Sequence, residues 1–425
     1  MKRFAGAAAA LAASTSLATA GGLDRSGQSV LAIFDDPNTY SFSLGYVQPS
    51  VTGSDSNGNV GSYDAGNSYT QLGLSYTNDI NDRLSYTVIY DQPFGADIFY
   101  NGDPAASNLA GTRADLTSDA ISILGKFQMN ERFSVFGGLR VQRAGGRVSL
   151  NGQAYGNALA TAGVAAGAGT TAQILGGALQ GDPNAIAALP PGVAGLLPTL
   201  GAQVQGASAG FTANGGYDVR LSEEWGVGLT AGVAYEIPDI ALRAVLTYHS
   251  EITHDANSTE TLAIGAAAAA GAIAGTTTFS SPQSVNLEFQ TGIAKDTLLL
   301  ASMRWTDWDD FDVIPPTLGQ DLANIDDSYR WNIGVARRFN ENLVGSISVT
   351  YEKDNGSATV SPLGPNDGQI GLTVGGRYQK DNLTVTGGIN YTKLGDAFAG
   401  VASQPVALFE GNSAVGVGFK VNYKF

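Results

Sequence analysis

Apolar and polar residues alternate with a period of two along many short stretches of the chain. The last stretch is the clearest: Val415, Val417, Phe419, Val421, Tyr423 and Phe425 form one face, and glycine, lysine and asparagine form the other. Because successive side chains of a strand point to opposite faces, this pattern predicts strands with one apolar face and one polar face. The pattern predicts fourteen such strands, at residues 39–48, 67–78, 83–91, 118–128, 132–142, 225–236, 240–252, 284–293, 297–307, 328–338, 343–352, 368–379, 382–392 and 413–425.

The connections between these strands alternate between short and long. Residues 129–131 and 380–381 are tight turns, whereas residues 143–224 and 253–283 are long loops. In outer-membrane barrels the strand number is even, short turns face the periplasm and long loops face outward. The predicted fold is therefore all-β, a transmembrane antiparallel β-barrel of about 14 strands over residues 39–425, with short helices in its extracellular loops. A soluble sandwich has no reason to keep this parity. Residues 211–221 are also strand-like, but counting them as a strand would reverse the sidedness of every later connection, so they are assigned to the end of a loop or an extension of strand six.

Both ends of the chain indicate export. Met1-Lys2-Arg3, an apolar stretch and the small residues Ala18-Thr19-Ala20 have the layout of a secretory signal peptide, predicted at residues 1–20. Phe425 follows Tyr423 in the aromatic C-terminal pattern that the barrel-assembly machinery recognises. We therefore expect the mature protein to lie in the bacterial outer membrane.

The composition of the chain excludes several classes of site and binding partner. After the leader, the longest apolar run is residues 262–275, shorter than the ~20 residues of a membrane-spanning helix. There is no cysteine, so no disulfide or thiolate metal site is predicted, and no cofactor is implied. The net charge of −15 disfavours nucleic acid as a partner. Acidic loops are instead expected to meet outer-membrane lipid and lipopolysaccharide through bridging divalent cations.

The third long loop, residues 143–224, is apolar where an extracellular loop should be polar. Ile174, Leu175, Leu196 and Leu197 belong to segments broken by prolines, which predicts short amphipathic helices. Residues 253–283, with Leu262, Ile264 and Ile273, are interpreted in the same way. Exposed apolar surface often marks a binding site, so these loops are candidates for capturing a hydrophobic ligand. The alternative is that the helices pack on one another and cap the barrel.

Alternation directs five arginines into the barrel. An arginine facing lipid near the midplane costs about 2–4 kcal/mol, which makes inward placement necessary. Pairing with lumen acids such as Glu288 or Asp24 is the ordinary role of such residues. Arg140, near the outer end of strand five, is the candidate for a ligand carboxylate. The five are Arg140, Arg243, Arg304, Arg330 and Arg377.

Two further groups of residues have both a structural and a functional interpretation. Trp305, Trp308 and Phe311 fall where strand nine meets the outer interface, so they are expected in an aromatic belt rather than in ligand capture. His249 lies beside Ser250, but adjacent strand residues face opposite sides and cannot form the hydrogen bond that nucleophilic catalysis needs. We therefore do not expect an enzyme.

Three stretches carry a resemblance to a known family. They are Gly21 to Ser29 with Asp36-Pro37-Asn38, Ser281 to Val285 followed by Arg304-Trp305-Thr306-Asp307-Trp308, and Tyr248-His249-Ser250-Glu251. Together they resemble the FadL-type long-chain fatty-acid transporters of the outer membrane. That resemblance implies a barrel plugged by its N-terminal segment, here residues 21–38 with Asp24, Arg25, Asp36, Pro37 and Asn38. The family's Asn-Pro-Ala plug motif is not intact, and Asp36-Pro37-Asn38 is its nearest equivalent.

The resemblance also implies a function. The expected activity is passive uptake of hydrophobic molecules, in the first place long-chain fatty acids, by a monomeric channel. A ligand would be caught by extracellular loops, pass through a pocket in the barrel and leave sideways through the wall. A channel for aromatic hydrocarbons, or a general porin or structural barrel, are the alternatives that the sequence leaves open.

Overall fold

The structure, a computed structural model, describes residues 23–425 apart from residues 57, 59 and 324. The predicted signal peptide, residues 1–20, and the first two residues of the expected plug lie outside the described residues. The strands are β1 (Thr39–Ser50), β2 (Thr52–Asp55), β3 (Ser62–Asp64), β4 (Tyr69–Asn81), β5 (Leu84–Asp91), β6 (Gly95–Phe99), β7 (Arg113–Gln128), β8 (Phe133–Leu150), β9 (Tyr217–Ile237), β10 (Leu242–His249), β11 (Ile252–Leu262), β12 (Ile273–Ser281), β13 (Ser284–Ala294), β14 (Thr297–Thr306), β15 (Ser328–Arg338), β16 (Leu343–Glu352), β17 (Gln369–Lys380), β18 (Leu383–Leu394), β19 (Ala397–Val401), β20 (Gln404–Phe409) and β21 (Ser413–Lys424). The α-helices are α1 (Gln153–Gly167), α2 (Ala172–Leu179), α3 (Pro183–Ala188), α4 (Leu197–Ala213) and α5 (Ala267–Ala270), and 3₁₀ turns lie at Leu31–Phe34, Ala194–Leu196 and Pro238–Ile240.

Fourteen antiparallel strands close into a barrel, as the sequence predicts. The first strand, β1, pairs with the last, β21, from Thr39 opposite Lys424 to Ser50 opposite Ser413. Closure leaves no unpaired sheet edge in the hydrocarbon region, where an unsatisfied backbone group is very costly. In order around the wall, the strands are β1, β4, β5 continued by β6, β7, β8, β9, β10, β13, β14, β15, β16, β17, β18 and β21.

The period-two pattern separates the two faces of the wall. On β15, Tyr329, Trp331 and Ile333 are exposed on the outer surface, whereas Ser328 and Arg330 are buried on the lumen side. A barrel wall in a membrane needs this arrangement, because its outer face meets lipid and its inner face meets polar groups or water. The alternation used to predict the strands is thus the alternation of the barrel itself.

The hairpin of β8 and β9 is much longer than predicted. The two strands have 18 and 21 residues, and they stay paired as far as Leu150 opposite Tyr217. Since about 9–11 residues cross a bilayer, their outer halves stand above the membrane. Residues 211–221 are therefore in part an extension of strand six, and the helical insertion of the third loop is confined to residues 153–213.

The prediction of helices in residues 253–283 is wrong for most of that loop. It forms a hairpin of β11 and β12, and the one helix described there, α5, has four residues. Every second side chain of β11 is buried, but the buried residues, among them His254, Ser258 and Glu260, are mostly small or polar. A search for apolar alternation does not detect such a strand.

Two substructures cover the outer mouth. A second sheet, in the order β19, β20, β2 and β3, is built from the loops that follow β1 and β18, and it encloses a core around Tyr63, Tyr100 and Phe409. Beside it, α1 and α4 pack closely at Gly156, where any side chain would collide with Ser208 and Phe211 of α4. Among the described residues no single helix is long and apolar enough to cross a membrane, although the bent pair of α1 and α2 would be by length and composition.

Candidate hydrophobic-ligand site

The N-terminal segment, residues 23–38, runs down the lumen from the outer half to the inner end. Leu23 belongs to an apolar cluster at the outer end, formed with Ala114 and Val148. Further along, Val30 and Ile33 belong to a separate cluster at the inner end with Leu124, Phe136 and Val245. The segment therefore contacts both halves of the barrel interior.

Polar side chains of the wall hold the middle of this segment. The Arg304 guanidinium lies 2.5 Å from Asp24 and donates to Gln28 Oε1 at 2.9 Å, and both members of the ion pair are buried. Ser29 donates to Glu288 at 2.7 Å. Breaking a buried, fully bonded ion pair is strongly destabilising, so these contacts fix the position of the segment.

Arg140, which was predicted to bind the carboxylate of a ligand, instead pairs with a carboxylate of the protein. It is buried, it lies 3.3 Å from Asp91, and Asp91 also accepts a hydrogen bond from Ser26 of the N-terminal segment. Among the other predicted lumen arginines, Arg243 pairs with Glu236 and Arg330 with Glu352. Arg377 contacts Gln379. The five arginines do face the interior, and four of them have a carboxylate partner.

The wall is interrupted between β5 and β6, at Gln92-Pro93-Phe94. Below the interruption β4 pairs with β5, starting at Leu74 opposite Tyr90. Above it, β6 pairs with β7 on one side, while on the other side Gly95 and Pro93 bond to Leu23 and Arg25 of the N-terminal segment at 2.9 and 2.8 Å. Pro93 has no N–H to donate to a ladder.

The result is a gap between the outer half of β4 and β6, which we call the wall window. Within the described residues no β-ladder joins β4 to β6. Gln92 closes the lower side of the gap, where its side-chain oxygen accepts from Leu72 N at 2.8 Å. On the upper side, Phe99 N donates to Ala65 O at 3.0 Å and Asn67 N donates to Asp97 O at 3.0 Å.

An apolar cavity lies next to the wall window, in the outer half of the lumen. Its volume is about 70 Å³. The inward faces of β6, β7 and β8 contribute Ala96, Leu116 and Val148, and the loop after β14 contributes Trp308 and Phe311. Phe94 and Phe311 both contact the Trp308 ring edge-to-face, at centroid distances of 5.5 and 5.6 Å. Other side chains that line it are Leu23, Leu221, Phe279, Val313, Leu322, Ala323, Ile325 and Leu363.

This cavity places Trp308 differently from the prediction. The side chain is 1% exposed and packs inside the apolar cluster, so the expected position in an aromatic belt is wrong for Trp308. Phe311 is packed against the same cluster. Trp305, the penultimate residue of β14, is half-buried, and its indole nitrogen donates to Asp327 at 2.9 Å. The chain turns inward after Asp307, and sequence alternation cannot foresee this turn because it applies only within a strand.

The apolar loop residues singled out from the sequence fall into two groups. Leu175 is fully buried among the helices, where it packs with Leu189 and Leu200, and Ile174 is partly buried against the same cluster. Leu197 is likewise half-buried against that cluster, whereas Leu196 is 52% exposed. The packing of helices on one another accounts for Ile174, Leu175 and Leu197, and of the four residues only Leu196 is open to a ligand from outside.

The remaining candidate residues have ordinary structural partners. Asp36 forms an exposed ion pair with Lys424 at 3.1 Å, and Asn38 O accepts from Phe425 N, so Asp36-Pro37-Asn38 joins the segment to the last strand. His249 is buried and bonds to Thr230 at 3.0 Å. Among the described residues no group of three or more His, Asp or Glu side chains is arranged to hold a metal ion.

Comparison with known proteins identifies a matching family and solved structures with a similar fold. The chain matches, over residues 4–425, the family model described as outer membrane protein transport protein (OMPP1/FadL/TodX). It is similar to the solved structure of a Pseudomonas aeruginosa FadL homologue, with 13% identity, a TM-score of 0.67 and coverage of 98% of this chain and 97% of that one. It is also similar to the Pseudomonas putida toluene transporter TodX (14% identity, TM-score 0.56, coverage 95% and 97%). The Ralstonia pickettii toluene transporter TbuX has the same fold (14% identity, TM-score 0.52, coverage 93% and 94%). No curated protein matches the chain.

Proposed function

Because the chain belongs to the family of outer-membrane transport proteins that includes OMPP1, FadL and TodX, we propose that its cargo is a long-chain fatty acid. Its place in the outer membrane and its role as a transporter of hydrophobic molecules follow from the family. The proposed route begins at the exposed Leu196 of the helical loop, passes through the apolar cavity and ends at the wall window. The observation that carries the proposal is the contact between the apolar cavity and that window.

The size of the cavity favours a thin, flexible chain. Its volume of about 70 Å³ is well below the roughly 150 Å³ of a dry protein cavity that holds benzene. An acyl chain can enter such a space a few methylene groups at a time, and each buried methylene contributes about 0.8 kcal/mol. A rigid ring would require the lining to move apart first.

Aromatic hydrocarbons are the second candidate cargo. The edge-to-face cluster of Phe94, Trp308 and Phe311 offers ring faces and edges to a flat ligand. Two of the similar solved structures are described as toluene transporters. A small displacement of Phe311, which lies on a loop, would be enough to enlarge the cavity for a single ring.

We propose that residues 21–38 act as the plug of this barrel. Support comes from Asp24, whose buried pairing with Arg304 anchors the segment inside the lumen, and from Asp36, Pro37 and Asn38, which join it to the barrel base. A plugged lumen argues against a general porin. We further propose that the channel works as a monomer, assembled by the barrel-assembly machinery and surrounded by lipopolysaccharide in the outer leaflet.

Uptake by cells that lack their own fatty-acid channel tests the proposed cargo. Cells that produce this protein should accumulate radiolabelled oleate above the level of cells with an empty vector. Replacing Leu196 by Ser should reduce the rate several-fold at equal membrane levels, because an exposed leucine contributes about 1.5–3 kcal/mol when fully buried by a ligand. Ala188→Ser, also on the exposed helical loop, is the matched control and should leave uptake unchanged.

A parallel measurement with radiolabelled toluene separates the two cargoes. Uptake of toluene without oleate by a correctly inserted protein would transfer the assignment to aromatic hydrocarbons. If the cells take up neither compound, both proposed cargoes are wrong. A large, unselective ionic conductance of the purified protein in planar bilayers would favour a general porin instead.

A further inference from the structure

Arg25 differs from the other arginines of the barrel interior. Arg140, Arg243, Arg304 and Arg330 each have a carboxylate within reach. The Arg25 side chain has neither an ion pair nor a hydrogen bond with any described residue, and its Nε atom is buried without a partner. A guanidinium carries five N–H donors, so a part-buried one with no acceptor among the described residues is unusual.

The Arg25 guanidinium lies between two strands of the wall. The guanidinium lies over the Tyr69 ring at 4.1 Å from the centroid, and Tyr69 begins the outer half of β4. On its other side it rests on Gly95 of β6, where a Cβ atom would come within 2.6 Å of Arg25 Cζ. Arg25 therefore spans the wall window, held between the two strands that border it, and Gly95 provides the space that this requires.

The acids near Arg25 are engaged elsewhere. Asp97 accepts a hydrogen bond from the Asn67 side chain at 2.8 Å, and Asp115 pairs with Arg113 at 2.9 Å. These carboxylates raise the local negative potential without neutralising the guanidinium through a direct contact. The window thus holds a positive charge, and no carboxylate of the described residues forms a direct contact with it.

The apolar cavity begins directly behind this charge. Gly95 and Ala96 line both the apolar cavity and a second cavity of about 70 Å³ that contains the Arg25 side chain. Ala96 belongs to the apolar cluster, whereas Gly95 faces the guanidinium. A molecule with its tail in the apolar cavity would therefore bring its other end to Arg25.

We infer that Arg25 receives the carboxylate of an amphipathic ligand at the wall window and thereby selects ionised acids over neutral hydrophobic molecules of the same length. This inference rests on the proposed uptake of fatty acids and adds the residue that recognises their head group. The planar guanidinium matches a carboxylate through two parallel N–H···O bonds, and such bonds are among the strongest polar contacts in proteins. Stacking on Tyr69 holds the guanidinium in place for that contact.

The test compares oleate with methyl oleate, which has the same chain without the charge. Binding of each radiolabelled compound to the purified protein in dodecyl maltoside is measured at a pH where oleate is ionised. The wild-type protein should bind oleate more tightly than methyl oleate. Arg25→Met should weaken oleate binding by roughly tenfold to a hundredfold, the range expected for loss of a charged hydrogen-bonded pair, and change methyl oleate binding less than about twofold.

Three further variants guard against misinterpreting a misfolded protein. Arg25→Gln keeps a polar side chain in the window and should show the same selective loss. Gly95→Ala keeps the charge but places a Cβ atom where the guanidinium lies, so it should displace Arg25 and weaken oleate binding selectively. Arg83→Met, at an exposed periplasmic turn, removes one positive charge far from the window and should alter neither ligand. Folding of every variant is checked by the heat-dependent shift of the barrel in electrophoresis.

The outcomes separate this inference from the proposed function. If the wild-type protein binds oleate and methyl oleate equally, or if Arg25→Met weakens both alike, the role of Arg25 is overturned while uptake of hydrophobic molecules stands. If the wild-type protein binds neither compound, the proposed cargo fails, and the role of Arg25 fails with it.

Discussion

The outer and inner halves of the lumen differ in how many polar side chains line them. The outer half contains the apolar cavity, around which Leu116, Val148 and Trp308 present hydrocarbon. The inner half contains two cavities of about 90 and 140 Å³ on either side of the N-terminal segment, whose linings mix apolar side chains with serines, amides and charged groups such as Glu288 and Arg243. One segment of chain passes through both halves, with Leu23 in the first and Gln28 in the second.

The difference assigns separate tasks to the two halves. Apolar surface binds by area and accepts any hydrophobic shape that fits, so the outer half suits a cargo that must be released again. Buried ion pairs and hydrogen bonds depend on geometry and are costly to break, so the inner half suits a segment that must stay in place. On this account the polar half holds the plug and the apolar half holds the ligand.

The largest predicted effect comes from breaking the polar half. Asp24→Asn leaves the buried Arg304 guanidinium without its carboxylate, which costs about 3–5 kcal/mol, and the segment should leave the lumen far more often. The chain has no cysteine, so a single Cys placed at the buried Val30 reports this opening. Labelling of Val30→Cys by a thiol reagent should be faster by on the order of a hundredfold or more in the Asp24→Asn background.

A second substitution serves as the control for that prediction. Combining Asp24→Asn with Arg304→Met removes both charges, so labelling should slow again relative to Asp24→Asn alone. Equal labelling rates in the wild-type and Asp24→Asn backgrounds would mean that the ion pair does not hold the segment.

An intermediate effect is expected from filling the apolar half. Ala323 lines the apolar cavity and lies on a loop, so Ala323→Leu adds three carbon atoms to the cavity with little risk to the barrel. Binding of oleate should weaken about tenfold, the loss of one or two buried methylene contacts. Ala188→Leu, on an exposed helix, adds the same atoms elsewhere and should leave binding unchanged. Unaltered binding in Ala323→Leu would place the ligand outside this cavity.

The smallest effect concerns pH. His254 lies on β11, outside the membrane-spanning strands; it donates from Nδ1 to Glu224 O at 3.0 Å and stacks on Phe279 of the cavity wall. Burial lowers the pKa of His254 below its ordinary value of 6.5, although the Glu224 carbonyl and Asp255 oppose the shift. The unfolded chain therefore binds this proton first, and stability should fall as the pH drops below about 6.5, with no contribution above it.

Heat-dependent electrophoresis of the barrel at a series of pH values measures this fall. His254→Asn keeps a side-chain donor for Glu224 O and removes the titration. The dependence on pH between neutrality and about pH 5 should be shallower in this variant than in the wild-type protein. Identical profiles would show that other groups cause the loss of stability.

Much of the barrel can be predicted from the sequence, because lipid imposes a strict alternation on every strand that touches it. The prediction at residues 328–338 matches β15, and the other thirteen predicted strands overlap the observed ones. Strands that do not contact lipid need not follow this alternation. The outer parts of β8 and β9, the hairpin of β11 and β12 and the small sheet around Phe409 pack against protein, so their sequences keep no lipid-facing pattern.

The candidate site is less predictable for a related reason. The inward direction of Arg140 and Arg304 follows from alternation, but their partners come from distant parts of the chain and only the folded barrel identifies them. Trp308 was expected at the interface and lies inside the cavity, because its loop folds inward. Arg25 and Gly95 are far apart in sequence, and Pro93, which lies just beyond the predicted strand at residues 83–91, does not by itself identify the gap that they share.

The division of the lumen into a ligand-binding half and a plug-holding half is tested most directly by locating a bound acid. Crystals of the protein soaked with a bromine-tailed fatty acid would show the bromine by its anomalous scattering. The account predicts the bromine beside Leu116 and Trp308 in the apolar cavity, with the carboxylate toward Arg25. Bromine density in the polar cavities around Ser29, or only on the outer helices, would contradict it.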